Sequence, residues 1–324
     1  MSVGAILVSS LLATLAHPAA WPVALAGFLV RGGIVVFLVP IIVLPSPVGL
    51  SDLIAPTVSS VALGGVPPQL IALAGATGAL AVALVLLAGW FAAAMETALI
   101  RDAPEWDELD PHRVRAAPRR GEAARVLGAR MIAHLPLALV LVWGGTRIVD
   151  AAYRELSRPV DVTTPIALRV LGSVPEVIAL VLMTWAGGQI LGAVAARRVV
   201  IVGASTARSL RMAVLESVRR PLQLIVLFLV PAAALVAVVV PTAAAAASTW
   251  DRVRIAIAES AGAVEGMITV SVFIGLWLGG LALVSMVCAW RAAVWTLDAE
   301  QRTFGVTPRT QPGDWSDPES SGTL

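Results

Sequence analysis

Lysine is absent from this sequence of 324 residues, and charged residues of any kind are scarce. All 23 basic residues are arginine, and only 14% of the chain is charged, whereas soluble globular proteins usually carry nearer to a quarter. Hydrophobic residues make up 58% of the chain, and its mean hydropathy is +0.87. A water-soluble core of this length cannot hold so large an apolar excess, so the chain is predicted to face lipid. The exclusive use of arginine, beside abundant Ala, Val, Leu and Gly, indicates a GC-rich bacterial genome.

Residues that form metal, redox and catalytic sites are equally rare. The one cysteine, Cys288, lies within an apolar run, which excludes a disulfide framework and a thiolate metal site. The three histidines, His17, His112 and His134, lack ligand spacing. The sequence shows no Ser/His/Asp set and no nucleic-acid module, and the segment VVIVGAS at 199–205 lacks the glycine pattern of a phosphate loop. We therefore predict no enzyme activity, no cofactor, no metal and no nucleic-acid partner.

Six continuous apolar runs have the length of membrane-spanning helices. About 20 apolar residues cross the ~30 Å hydrocarbon core of a bilayer, whereas a transmembrane β-barrel would show short segments of alternating hydrophobicity. The runs are approximately 21–44, 78–98, 131–149, 177–195, 222–240 and 267–290. The second and the fourth can extend outward, to Gln69 and Ile166. The predicted fold is therefore an all-α bundle of about six transmembrane helices.

The start of the chain leaves two interpretations open. Residues 1–30 contain neither Lys nor Arg, so the basic region of a cleavable signal peptide is missing. The stretch 4–16 is short for a span, and we predict an amphipathic or re-entrant helix at the membrane surface. In the alternative, residues 1–30 form the first span and Arg31 lies at its end.

Arginine is distributed unequally between alternate loops. The segments 101–130 and 197–220 hold seven and six arginines, and the segment after Trp290 holds three. The alternate loops, 45–68, 147–169 and 242–265, hold none, four and two. Because cytoplasmic loops carry the excess of basic residues, we expect both termini in the cytoplasm and the protein in the bacterial cytoplasmic (inner) membrane.

An internal repeat organises the six runs. Three segments share a short amphipathic helix, then a proline, then an apolar run, and the aligned prolines are Pro18, Pro136 and Pro221. Each returning run carries a tryptophan followed 11 to 14 residues later by an arginine; the pairs are Trp90 with Arg101, Trp185 with Arg197, and Trp277 with Arg291. The chain is therefore predicted to hold three pseudo-repeated hairpin units, at about 4–100, 121–198 and 205–295, within one integral membrane domain of residues 1–300.

The short helices before the prolines are predicted to lie on the cytoplasmic leaflet. In 121–134 and 205–220, apolar residues recur at helical spacing and arginines lie between them. A basic amphipathic helix of this kind lies in the membrane interface and favours anionic lipid. The candidate headgroup contacts are Arg125, Arg130, Arg208, Arg211, Arg219 and Arg220. The alternative is a solvated face packed on the bundle.

Two polar segments are predicted outside the bundle. The insertion 101–120 changes from acidic to basic along its length and contains three prolines, which indicates an extended cytoplasmic loop. The tail 303–324 is polar and rich in Pro, Gly and Ser, which is typical of a disordered segment.

Polar residues inside the predicted spans are the candidate functional residues, because a charge at mid-bilayer costs about 2.5–3.5 kcal/mol. They are Arg31, Glu96, Glu176 and Gln189. Arg31 lies 13 residues past Pro18, about 20 Å along a helix. Glu96 is expected to be a hydrated residue near the inner surface, and Glu176 lies near the outer boundary, so neither height matches Arg31 well, although helix tilt closes part of the gap. Arg31 is then either a structural ion pair or carbonyl-capping residue, or part of a polar path.

The motifs LAHPAAWPV, IAHLPLAL and VRRPLQLI extend into a pattern that covers most of residues 10–292. This pattern resembles the six-helix membrane domain associated with bacterial glycerophosphoryl diester phosphodiesterases and its uncharacterised stand-alone relatives. No phosphodiesterase catalytic domain is present in this sequence, so the resemblance implies a membrane domain and no hydrolytic activity.

Two functions follow from the sequence. The preferred one is a non-catalytic membrane scaffold or accessory subunit, in contact with lipid (possible anionic lipids included), a membrane-protein partner or further copies of itself. The alternative is a transporter or permease for a small solute or lipid that uses Arg31, Glu96 and Glu176, since transporters often combine internal repeats with polar groups near the midplane.

Overall fold

The computed structural model describes residues 2–38, 68–102, 119–157, 166–258 and 263–304, and within these ranges the regular structure is entirely helical. A π-helical turn, Leu29–Gly33, joins α2 to α3. The helices are α1 Val3–Ala16, α2 Ala20–Phe28, α3 Ile34–Leu38, α4 Pro68–Asp102, α5 Glu122–Ala133, α6 Leu135–Ser157, α7 Ile166–Gly172, α8 Pro175–Ile201, α9 Thr206–Arg219, α10 Pro221–Ala258 and α11 Ala263–Phe304. The predicted loop at 45–67, most of the insertion at 101–120 and the tail from residue 305 lie outside the described residues.

Six helical stretches of the described chain are long and apolar enough to cross a membrane, which confirms the prediction of an all-α chain with about six candidate spans. They are Ala20–Leu38, Pro68–Asp102, Leu135–Glu155, Pro175–Ile201, Pro221–Ala258 and Val264–Thr303. Several run well beyond the predicted apolar cores, and α10 continues through Pro231 and Pro241. The fourth span does not extend to Ile166 as one helix, because the chain turns at Ser173 and α8 starts afresh at Pro175.

The start of the chain is divided in two, which contradicts the interpretation of residues 1–30 as one span. Ser2 caps α1, α1 ends at Ala16, and α2 begins at Ala20. The indole of Trp21 reaches back across the turn and donates to the Thr14 carbonyl at 3.0 Å. With 14 residues, about 21 Å at 1.5 Å per residue, α1 is too short to cross the bilayer.

The spans pack in pairs, α2 with α4, α6 with α8, and α10 with α11, and α2 packs against α11 as well. The second members, α4, α8 and α11, also contact one another. The short helices pack against these central helices: α1 against α11, α5 against both α4 and α8, and α9 against α8. Polar contacts hold them there, since Trp290 donates to the Leu7 carbonyl at 3.1 Å, Arg101 pairs with Glu122 at 2.6 Å, and Arg198 pairs with Glu216 at 2.6 Å.

The tightest packing lies where α4, α8 and α11 approach their last turns, a region we call the core end. Their buried residues concentrate at 92–100, 193–201 and 284–300, and many of them are alanine. Small side chains let helices approach closely in membrane proteins. Away from the core end, apolar side chains such as Leu73 and Val85 are more than 60% exposed, which suits contact with lipid.

The π-helical turn after α2 depends on a glycine. Gly32 has a φ of +103°, which a residue with a Cβ adopts only at a cost. Directly before it stands Arg31, so the turn determines where the Arg31 side chain points. Gly33 lies against the Phe28 ring, and an added Cβ would come within 2.3 Å of it.

Replacing Gly32 by alanine is expected to lower the free energy of unfolding by about 1–2 kcal/mol, because an L-residue is strained at this positive φ. Thermal unfolding of the purified full chain in a neutral detergent measures the change. Gly275→Ala is the matched control, since Gly275 lies within α11 and its Cβ would meet no atom within 4 Å. Equal melting temperatures for the two variants would show that the turn imposes no strain.

Candidate functional site

Glu96 is the centre of a buried ion cluster at the core end. It lies on α4, its side chain is only 6% exposed, and three guanidiniums donate to its carboxylate. Arg31 Nη2 lies 2.7 Å and Arg130 Nε 2.6 Å from Oε2, while Arg197 Nη1 lies 2.6 Å from Oε1 and Arg130 Nη2 donates to the same oxygen. We call Glu96, Arg31, Arg130 and Arg197 the Glu96 cluster. Both carboxylate oxygens accept two charge-assisted hydrogen bonds, the strong kind.

The members of the Glu96 cluster come from four different parts of the fold. Arg31 projects from the π-helical turn, Arg130 from α5 and Arg197 from α8. Backbone carbonyls supply further acceptors, because Arg31 donates to the Ala92 carbonyl at 3.3 Å and Arg197 donates to the Ala292 carbonyl of α11 at 3.2 Å. The hydrogen bonds of the cluster therefore link α2, α4, α5, α8 and α11.

A fourth arginine, Arg291 of α11, lies beside the cluster without a carboxylate of its own. Its Nη2 donates to Gln189 Oε1 at 3.0 Å, and its guanidinium carbon lies 5.9 Å from the centre of the Phe228 ring. Among the described residues, no acidic side chain forms an ion pair with it. Arg291 thus adds a positive charge that no described side chain balances.

His134 completes this polar layer as a neutral residue. Its Nδ1 lies 2.8 Å from the Arg130 carbonyl, so Nδ1 carries the proton, and Nε2 accepts from the Gln189 amide at 3.3 Å. Burial, together with the charges of Arg130 and Arg31, lowers the pKa of His134. An imidazole with a lowered pKa is neutral at pH 7, so His134 orients Gln189 and adds no charge.

These residues line a cavity of about 260 Å³ between α2, α4, α5, α8, α10 and α11. Among the described residues that line it are four arginines and one carboxylate, so these residues carry three positive charges in excess. The lining also includes apolar and aromatic side chains, among them Phe28, Met95, Trp185, Leu235 and Trp295. Arg31 is the most exposed cluster member, with a side chain 41% exposed, whereas that of Arg197 is 3% exposed.

The structure differs from two expectations about these residues. Arg31 and Glu96 meet although their estimated heights did not match, because Arg31 lies beside Ala92 and its side chain also reaches Glu96, one helical turn further along α4. Glu96 is buried and not hydrated, because α5 lies over the end of α4 and places Arg130 on the carboxylate. Gln189 is part of the same cavity, whereas Glu176 lies apart from it, 46% exposed and 3.5 Å from Arg147.

The six candidate headgroup contacts fall into two groups. Arg208, Arg211 and Arg219 are exposed and Arg125 is half-buried, so their side chains are available to a membrane surface. Arg130 and Arg220 instead point into the protein, each with a side chain 14% exposed. Arg130 pairs with Glu96, and Arg220 pairs with Glu216 at 3.1 Å and with Asp298 at 3.2 Å.

Two site residues, Arg197 and Arg291, were not among the sequence candidates. Both were treated only as markers that follow a tryptophan near the end of a span. Their position in the helix is the signal that could have identified them. Each lies at the core end of a central helix, as Glu96 does on α4. In the described ranges, no group of three or more His, Cys, Asp or Glu side chains is arranged to hold a metal ion.

Comparison with known proteins adds no relative: no protein family, no curated protein and no solved structure matches this chain.

Replacing Glu96 by glutamine is expected to destabilise the protein by about 3–5 kcal/mol, because three clustered guanidiniums lose their shared counter-charge. The measurement is the melting temperature and the yield of monodisperse protein in a neutral detergent. Glu176→Gln is the matched control and should change the stability by less than about 0.5 kcal/mol, because its ion pair is exposed. A second substitution, Arg197→Gln, should restore part of the loss in the Glu96→Gln protein. If the Glu96→Gln single variant is as stable as the wild type, the structural role of the cluster is refuted.

Proposed function

We propose that this chain is a non-catalytic membrane protein that binds an anionic solute or lipid in the cavity beside the Glu96 cluster. The observation that supports this most is the charge of the cavity, where four arginines face one carboxylate. The proposal takes up the transporter alternative with Arg31 and Glu96, adds Arg130, Arg197 and Arg291, and leaves out Glu176.

The charge excess supports the proposal because buried cations are costly. Each arginine charge inside a membrane protein costs several kcal/mol unless it is paired. Glu96 balances one of the four charges, and the peptide carbonyls of Ala92, Ala193 and Ala292 supply only partial dipoles. An anion that enters the cavity would recover much of the remaining cost, so the site attracts negative charge.

The composition of the cavity favours binding over catalysis. Glu96 already accepts four hydrogen bonds, so its carboxylate has no lone pair directed at a substrate for general-base work. His134 is occupied at both ring nitrogens. The arginines can hold and orient an anion, which is what a carrier or receptor requires.

The architecture proposed from the sequence fits this role. The helix pairs α2 with α4, α6 with α8, and α10 with α11 support three pseudo-repeated hairpins, with α4, α8 and α11 in corresponding central places. In this proposal α1, α5 and α9 lie on the cytoplasmic leaflet of a bacterial inner membrane, and the cavity opens near that leaflet. The resemblance to the membrane domain associated with glycerophosphoryl diester phosphodiesterases is part of the same proposal.

An accessory subunit or scaffold is the second candidate function. The observation that favours it is that the Glu96 cluster joins five helices, as a purely structural fastening would. In that case the cavity is a consequence of packing, and the interacting partner is lipid, another membrane protein or a second copy of the chain.

The two functions predict different responses to anions. If the cavity binds anions, the melting temperature of the purified protein should rise in a saturable way with at least one small anion compared at equal ionic strength. In the Arg31→Gln variant, the anion concentration that gives half of the maximal rise should be about tenfold higher or more, because a guanidinium hydrogen bond to the anion is lost. Arg254, near the end of α10, does not line the cavity, and its side chain is 53% exposed. The Arg254→Gln variant should therefore respond as the wild type does. No response to any anion, with Arg31→Gln assembled normally, would favour the scaffold.

Reporter fusions test the proposed orientation. With both ends in the cytoplasm, a reporter that is active only in the cytoplasm should work when it is fused at either terminus. A periplasmic reporter should work when it is inserted between α10 and α11, at residues 259–262. The opposite pattern would invert the orientation and place the cavity at the outer leaflet.

A further inference from the structure

The unused donors of the cavity point to a more specific ligand, and the inference rests on the proposed anion-binding function. We propose that the ligand is a phosphomonoester dianion that carries an apolar group, with its phosphate held between Arg31 and Arg291 and its apolar group against Phe28 and Trp185.

Arg31 and Arg291 are the cavity arginines with the most unused donors. Arg130 and Arg197 each have only one nitrogen, Nη1 and Nε respectively, without an acceptor among the described residues. The hydrogen bonds of Arg31 to described residues all come from Nη2, and so does that of Arg291. Each of them therefore retains Nε and Nη1 without an acceptor among the described residues. These N–H groups lie on different edges of each guanidinium, so each can donate a single charge-assisted hydrogen bond to a phosphate oxygen.

The charge of the site selects a dianion over a monoanion. Three positive charges are in excess in the cavity, so a monoanion leaves two of them unbalanced and a dianion leaves one. A phosphomonoester carries about −1.5 to −2 at pH 7, whereas a phosphodiester carries a single charge. The preference for the monoester is electrostatic and should therefore be larger in this partly buried site than in water.

The size and lining of the cavity limit the rest of the ligand. A volume of about 260 Å³ is below the range of roughly 300–1,000 Å³ that holds drug-sized molecules. The aromatic wall of Phe28, Trp185 and Trp295 favours a compact apolar group beside the phosphate. Two sources share this chemistry: a small soluble phosphomonoester, and a lipid whose phosphomonoester headgroup enters while its acyl chains stay in the bilayer.

Titration calorimetry on the full-length protein in a neutral detergent tests the charge preference. The probes are phenyl phosphate and its monoanionic counterpart, methyl phenyl phosphate. We expect phenyl phosphate to bind at least tenfold more tightly. Lowering the pH from 7.5 to 5.0 protonates the monoester, whose second pKa is about 6, and should weaken its apparent affinity about tenfold while the methyl ester is unaffected.

Variants locate the binding site. Arg291→Gln and Arg31→Gln should each weaken the binding of phenyl phosphate at least tenfold while the protein stays monodisperse. Arg254→Gln, on the far part of α10, should leave the affinity unchanged. Unchanged affinity in both cavity variants would overturn the assignment of the phosphate to these two arginines.

The results separate this inference from the function on which it rests. Equal or tighter binding of methyl phenyl phosphate would overturn the dianion preference and leave the anion site intact. Binding of neither probe, nor of any other anion, would overturn both. In nanodiscs, competition by phosphatidic acid but not by phosphatidylglycerol would assign the monoester to a lipid. Binding of phenyl phosphate without such competition would assign it to a soluble molecule, and either result supports the proposed chemistry.

Discussion

The carboxylate of Glu96, shared by three guanidiniums, is the interaction on which the packing at the core end depends. It lies on α4, one of three central helices that contact one another, and its partners come from the turn after α2, from α5 and from α8. Apolar attraction between helices is weak inside a bilayer, because lipid tails are as apolar as leucine. A buried charge cluster can therefore determine which helices meet where small residues alone would allow several arrangements.

The same cluster both links the helices and supplies the positive charge on which the proposed anion binding rests. Three arginines around one carboxylate hold the helices together, but they also leave the site electropositive, and Arg291 adds to the excess. A purely structural cluster would be better served by balanced charge, since each unpaired cation in the interior is destabilising. The imbalance is the physical reason for proposing an anionic ligand.

Sequence reasoning recovered the helical part of the architecture and about half of the site. Hydropathy located six spans because length and composition alone decide whether a helix can cross a bilayer. Arg31, Glu96 and Gln189 were found because a polar residue inside an apolar run is conspicuous. Arg197 and Arg291 were overlooked because an arginine near the end of a span looks like an interfacial residue. Arg130 and Arg220 were assigned to lipid for the same reason, since a helical pattern shows that a residue lies beside a face but not what covers that face.

Composition and periodicity by themselves determined that this chain is helical, lies in a membrane and lacks the residue sets of familiar catalytic and metal sites. They could do so because hydrophobicity and helical repeat are local properties of the chain. Only the tertiary structure decided that Arg31 meets Glu96, that α5 covers this pair, and that Arg291 from the last helix joins them. Those contacts join residues separated by 34 to 102 positions in the chain. They depend on a π-helical turn at Gly32 and on the mutual packing of three central helices, neither of which a local pattern encodes.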